Sequence, residues 1–328
     1  MKKIFSILSI LILFIFIVYS GIGFYIAYSI LRIDPTCGLH EGSLPNTWST
    51  QKDQHEYTVL AKKELRKNFP STKYHLDVWQ DVYFPSRDTD IKINGWLFSY
   101  FPNRPIVIIV HGLFPNGKCK PESNIIASLL IQQKINALTI DLRNYGQSDT
   151  VSRYENLGLR SYNDVLGAFD FLKQIGFTAD QIGLLGISLG GSTAIFAAAY
   201  EPTIKAIWTD STLAEFNLIL KDEIARYGMP NIFGPVVSLT GQMLTGIDPS
   251  DLSPAYKLTS SQSYYITHGQ KDKRVPAHHF EFFQNYINKK NIDADFWLIP
   301  DAYHVDAMIK YPDEYSEKMK QFFEENLK

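Results

Sequence analysis

Cysteine is nearly missing from this chain. Its two residues, Cys37 and Cys119, are too few for a disulfide framework to hold the fold. A single Cys37–Cys119 bridge is the most they can form, and it needs an oxidising compartment. An excess of charge of one sign is also missing. Lys and Arg number 32 against 34 Asp and Glu, a net charge of −2, and there is no basic tract. Nucleic acid is therefore not an expected partner. Metal-ligand spacing is absent too. His278 and His279 are adjacent on a helical stretch and lack a paired carboxylate at ligand spacing, so no metal site is expected. No internal repeat is present, and no low-complexity segment beyond one apolar run. What remains is a chain of 328 residues, 45% hydrophobic and 20% charged. It has material for one large globular domain or two small ones and gives no reason to expect disorder.

The apolar run extends uncharged from Ile4 to Leu31 behind Met1-Lys2-Lys3. It is long enough to cross a bilayer as a helix. A cleaved signal peptide is the rival, but its apolar core spans only about 7–15 residues before a small-residue cleavage site. This run stays apolar past Ser20-Gly21, so residues 1–33 read as a retained anchor. Lys2 and Lys3 then place the N-terminus in the cytoplasm and the large domain outside a single-pass cell-membrane helix. Residues 34–72 read as a polar juxtamembrane linker. Within it, Tyr57 to Phe69 has helical spacing and a basic face (Lys62, Lys63, Arg66, Lys67). That face is either an ordinary solvated one or a contact to anionic head groups.

From Tyr74 onward strands and helices alternate. Val78–Phe84 and Ile91–Tyr100 flank a polar turn and predict an antiparallel hairpin. Pro105–Val110 is a continuous β-branched run of the kind buried on both faces of a sheet. Further strands are expected at 137–142, 182–186, 204–209, 263–267 and 294–299, with helices at 122–133, 159–175, 192–200, 279–287 and 314–327. Eight strands in this rhythm imply a mostly parallel sheet with helices on both faces, over residues 73–328. One interval, about 212–262, is too long for a plain connection. It follows the sixth strand, over the carboxyl edge where open α/β sheets bind ligands, and reads as a small helical lid. Helices packed beside the sheet are the alternative.

The chemistry centres on Gly186-Ile187-Ser188-Leu189-Gly190, a G-x-S-x-G pattern between a buried strand and a small-residue helix. This is the form of a nucleophile elbow, a tight turn that lifts a serine hydroxyl above a sheet. A serine nucleophile needs a base, an acid that orients it and an oxyanion hole. In this architecture the chain order is serine, acid, histidine. His304, after the last strand, is the only histidine beyond His279 and is the expected base. Asp272 is the only carboxylate in the loop after the preceding strand and is the expected acid. Asp210 is the runner-up, and Asp301 and Asp306 lie too near His304 in sequence to be preferred. The oxyanion donors are expected to be the backbone N–H groups of Leu189 and Leu113, with Phe114 second to Leu113. His111 reads as a residue bracing that loop.

Taken together, these residues resemble the α/β-hydrolase superfamily from Tyr74 to the C-terminus. The resemblance rests on His111-Gly112, Asp141-Leu142-Arg143-Asn144-Tyr145-Gly146-Gln147-Ser148, the elbow, Gly269-x-x-Asp272-x-x-Val275-Pro276 and His304. The chain is most similar to membrane-anchored, short-lidded serine hydrolases related to acyl-protein and monoacylglycerol hydrolases and to prolyl-oligopeptidase-like peptidases. The resemblance implies an α/β-hydrolase fold and a serine esterase, lipase, thioesterase or peptidase without a cofactor. It also implies that Asp141 and Arg143 brace a loop rather than catalyse. Two departures stand out: Asn144 and Tyr303 occupy positions where such proteins commonly carry glycine. The expected activity is hydrolysis of a carboxylic ester with an apolar, lipid-like acyl group. Alternatives are a peptidase, in which Glu215, Asp222 or Glu223 anchors a peptide terminus, and a non-catalytic module of the same fold that binds a ligand at the membrane.

Overall fold

The computed structural model describes residues 2–33, 42–49, 69–113 and 119–328. The expected basic helix at 57–69 lies almost wholly outside that set, as do Cys37 and Phe114. Cys119 is disulfide-bonded.

Eight strands form one sheet in the order β1-β2-β4-β3-β5-β6-β7-β8. Strands β1 (Gln80–Pro85) and β2 (Lys92–Phe98) make the predicted antiparallel hairpin. Strand β2 then joins β4 (Asn136–Asp141) antiparallel. From β4 onward every pairing is parallel, through β3 (Ile106–Val110), β5 (Ile182–Ile187), β6 (Ala206–Asp210), β7 (Ser263–Gly269) and β8 (Ala294–Ile299). All residues of β3, β4, β5 and β6 are buried, because helices cover both faces.

One apolar layer packs Phe169 and Leu172 of α3 (Tyr162–Gln174), Ala194 and Ala197 of α4 (Leu189–Tyr200), and Phe280 and Phe283 of α7 (His278–Lys290). The opposite layer packs α2 (Asn124–Gln132) and α9 (Pro312–Asn326) around Trp208, which stacks on Tyr265 at 3.8 Å. The short α8 (Ala307–Lys310) precedes α9. Helix α4 packs against β5, β6 and β3, and a Cβ on its Gly191 would lie 1.8 Å from Thr212 Oγ1.

Helix α1 (Lys2–Leu31) is long and apolar enough to cross a membrane. The segment between β6 and β7 carries α5 (Phe216–Arg226) and α6 (Gly234–Thr245), and α1 packs against α6.

The loops at the carboxyl edge are tied by buried charge. Asp141 accepts the backbone N–H of Lys120 at 2.9 Å, the Lys120 ammonium at 2.5 Å and the Gln147 N–H at 3.0 Å. Lys120 is fully buried, also bonded to Asn94 and lying over the Trp96 ring. Arg143 pairs with the buried Asp164 at 2.7 Å and reaches Ser86 and Asp88. Both residues brace the loop after β4, as the sequence implies. Asn144 stands where glycine is common because its φ is 72°, in the left-handed region that asparagine tolerates better than most residues.

Candidate active site

Ser188 joins β5 to α4 with φ 53° and ψ −119°, a strained conformation for a residue with a side chain. The flanking glycines are required by packing. A Cβ on Gly186 would lie 2.3 Å from the Gly190 carbonyl oxygen, and one on Gly190 would lie 2.2 Å from that of Val110. The turn is held from behind. Ser188 donates its N–H to the Asp210 carbonyl at 2.7 Å and accepts at its own carbonyl from Thr212 Oγ1 at 3.2 Å. Leu189 opens helix α4, so its N–H belongs to the unpaired first turn, a position suited to negative charge.

The loops after β7 and β8 carry the expected acid and base. Asp272 Oδ2 lies 2.7 Å from His304 Nδ1, and both side chains are buried. Asp272 Oδ1 accepts the backbone N–H groups of Arg274 at 2.8 Å and Val275 at 2.9 Å. Burial alone would push the Asp272 carboxyl up. The His304 imidazole, with help from His268 and the backbone donors, outweighs that and holds it below the ordinary carboxylate range. A carboxylate at this place accepts the Nδ1 proton of His304. The Nε2 lone pair is then left free to take a proton. The His304 loop packs close: a Cβ on Gly269 would lie 2.5 Å from the carbonyl oxygens of Ala302 and Tyr303. In the same loop Val305 takes a φ of 52° and donates its N–H to Ser211 Oγ at 2.9 Å. Tyr303 itself is half-buried, and its backbone N–H donates to Asp306 Oδ2 at 3.4 Å.

Asp210, the runner-up acid, is engaged elsewhere. Its oxygens accept from Ser211 Oγ at 2.9 Å and Tyr315 Oη at 3.2 Å. Burial pushes this carboxyl up to about 6, against the opposing effects of Ser211, His304 and Tyr315. Its folded value lies above the unfolded one, so the stability it leaves intact below about pH 4 is lost as pH rises to about 6. Asp210→Asn removes that loss. Its stability relative to wild type is expected to rise by about 3 kcal/mol between about pH 4 and about pH 7. Urea unfolding in detergent micelles across that range measures it, and a difference independent of pH would contradict the burial argument.

Other carboxylates are also accounted for. Asp301 binds Lys310 and the Tyr311 hydroxyl. Glu215 caps α5 by accepting from Leu218 N–H. Glu223 pairs with Arg226 and Arg274. Asp222 Oδ2 lies 2.8 Å from His278 Nε2 and 3.1 Å from His279 Nε2. This corrects the sequence expectation that the two histidines lack a carboxylate: the partner comes from α5, more than fifty residues away in the chain. The grouping still does not suit a cation. His279 Nδ1 accepts the Ala214 N–H at 3.0 Å, so its Nε2 carries a proton and donates to Asp222. His111 has a bracing role. Its Nδ1 faces the Gly112 carbonyl at 2.8 Å, its Nε2 accepts the Leu142 N–H at 3.1 Å, and burial lowers its pKa.

A cavity opens at Ser188. Leu113, Leu189, Leu213, Phe216 and Ile219 are among its lining residues, so both expected oxyanion positions border it. The 212–262 segment contributes Leu213, Phe216, Ile219, Val237 and Leu252 to the lining beside Ser188. The mostly apolar lining of this cavity suits a small-molecule site. Sequence reading missed Ser211 and Thr212. Their roles depend on a φ of 56° at Ser211 and on contacts across three loops, neither of which leaves a pattern in the chain.

A model of the prolyl oligopeptidase family matches residues 139–328. A thiohydrolase of Aspergillus aculeatus is 31% identical over 138 residues, which is 42% of either chain. An acyltransferase of Aspergillus calidoustus is 32% identical over 136 residues, 40% of this chain and 42% of that protein. The chain thus spans less than half the length of these curated relatives. Among solved structures, an esterase of Pyrococcus furiosus superposes with a TM-score of 0.62 at 19% identity, covering 85% of this chain and 98% of the esterase. The acylaminoacyl peptidase of Pyrococcus horikoshii superposes at 0.57 with 18% identity, covering 77% of this chain and 42% of the peptidase. At such identities the likeness is one of architecture, the α/β-hydrolase fold.

Proposed function

This chain belongs to the prolyl oligopeptidase family, and from that premise we propose that it is a serine hydrolase of carboxylic esters with apolar acyl groups. The observation that carries the reading is the buried Asp272–His304 pair at 2.7 Å, with the His304 loop bonded to Ser211, next to the Thr212 that bonds the Ser188 carbonyl.

Ser188 Oγ attacks the acyl carbon as its proton passes to His304 Nε2. The carbonyl oxygen becomes an oxyanion, and the N–H groups of Leu189 and Leu113 donate hydrogen bonds to it. His304 returns the proton to the leaving oxygen as the ester C–O bond breaks. Water then attacks the acyl-enzyme through the same base, and the acid leaves. Asp272 keeps its charge throughout and stabilises the imidazolium. The names of the two fungal relatives fit the same intermediate. A thioester can acylate the serine as an ester does, and an alcohol in place of water gives acyl transfer. The 212–262 segment serves as a lid, and α1 as an anchor that holds the domain at the outer face of a cell membrane.

A peptidase reading is weaker on geometry. The three carboxylates available to hold a peptide terminus, Glu215, Asp222 and Glu223, are each already paired. The test is labelling of the full chain with a fluorophosphonate, with comparison of p-nitrophenyl esters and aminoacyl anilides. Adduct on Ser188 and turnover of esters over anilides are expected. An unlabelled serine, or anilides cleaved better than esters, would overturn the proposal.

A further inference from the structure

Helix α1 is longer than a bilayer needs. Its 30 residues reach about 45 Å, against a hydrocarbon core of about 30 Å. Exposure divides it in two. Residues from Ile4 to Val18 are exposed, whereas Ile26, Ala27 and Leu31 are buried against Ile224 of α5 and Val237 of α6. The approach is close. A Cβ on Gly23 would lie 2.4 Å from Val236 Cγ1, and Tyr19 Oη donates to the Ile232 carbonyl at 2.7 Å. The Tyr19 ring also stacks on Phe233 at 5.1 Å. The last turns of this helix therefore belong to the globular body.

They also reach the site. Ala27, Ile30 and Leu31 line the cavity that opens at Ser188, together with Leu220 and Val237. The charged residues lining that cavity, Glu223 and Arg274, neutralise each other as an ion pair. Nearby, Ile232, Leu239 and Met243 leave large apolar side chains exposed on α6 and the turn before it. Isolated exposed apolar residues are ordinary, but three beside a bilayer-length helix suit insertion into the lipid surface.

We infer that this cavity is an acyl-chain subsite completed by the anchor helix, and that it takes one long acyl chain of a membrane lipid ester. The inference rests on Ser188 as the acyl acceptor. A long chain drawn through water is penalised at every exposed methylene. A cavity walled by the helix that enters the bilayer lets the chain pass from lipid to Ser188 without that exposure. The same geometry gives a reason for α1 to be retained rather than cleaved, since cleavage would remove a wall of the site.

The test uses the full chain in phosphatidylcholine nanodiscs. Ala27→Trp is expected to lower the ratio of hexadecanoyl to butanoyl ester turnover about tenfold or more, as a filled hydrophobic pocket does. Ile10→Trp, on the exposed half of the helix, is expected to leave the ratio unchanged. An unchanged ratio in Ala27→Trp would overturn the subsite. A second measurement does not depend on catalysis or on that variant folding. In Ser188→Ala, a diazirine-bearing hexadecanoic acid is expected to crosslink within residues 27–31, and crosslinks confined to residues 4–18 would overturn the subsite. Crosslinking at 27–31 in that variant, together with a wild-type chain that hydrolyses no ester, would leave the subsite standing and defeat the catalytic reading alone.

Discussion

Ser188→Ala is expected to lower kcat for ester hydrolysis about a millionfold and to abolish fluorophosphonate labelling. The magnitude follows from removing a whole route. Without the hydroxyl no acyl-enzyme forms, and only substrate binding and the oxyanion donors remain to help direct attack by water. A millionfold corresponds to about 8 kcal/mol of transition-state stabilisation. The fold is expected to survive. Alanine carries the same backbone strain at φ 53°, and the packing that dictates the turn lies in Gly186 and Gly190, not in the serine side chain. Near-native thermal unfolding with lost turnover is the expected pair of results. Turnover within tenfold of wild type would remove Ser188 from the reaction.

Asp272→Asn is expected to cost about ten-thousandfold in kcat, with KM little changed. The reason lies in the two backbone bonds at Oδ1. The N–H groups of Arg274 and Val275 need an oxygen there, so the introduced amide must turn its NH2 toward His304. That NH2 donates to Nδ1 and moves the imidazole proton to Nε2, where it blocks the base. Nitrogen NMR of the histidine rings reads the tautomer directly, which a merely structural loss would not shift. If Asp210→Asn proved the more damaging change, the acid would be assigned wrongly. The bonds of Asp210 to Ser211 and Tyr315 argue against that outcome.

How much of this was legible in the chain differs by element. The eight strands could be read because β-branched runs and short alternating stretches mark buried strands locally, and their parallel pairing followed from the helices between them. The elbow could be read because Gly186 and Gly190 are forced by contacts of under 2.5 Å that admit no side chain. His304 and Asp272 were chosen by position after β8 and β7, not by any local pattern of their own, and the fold brings them within 2.7 Å. The pairing of Asp222 with His278 and His279 could not be found that way, because nothing in the α5 stretch marks which of its charges will face α7.

The sequence by itself determined the order of strands and helices, the place of the strained turn and a helix long enough for a bilayer. These depend on periodicity and on residues that tolerate unusual backbone, and both act over a few neighbours. The tertiary structure alone decided which carboxylate serves His304 and which is diverted to Tyr315. It also brought side chains of 212–262, and Ala27 and Leu31 of α1, to the cavity that Ser188 lines. These are distances between residues far apart in the chain, fixed only when the sheet brings their loops to one edge.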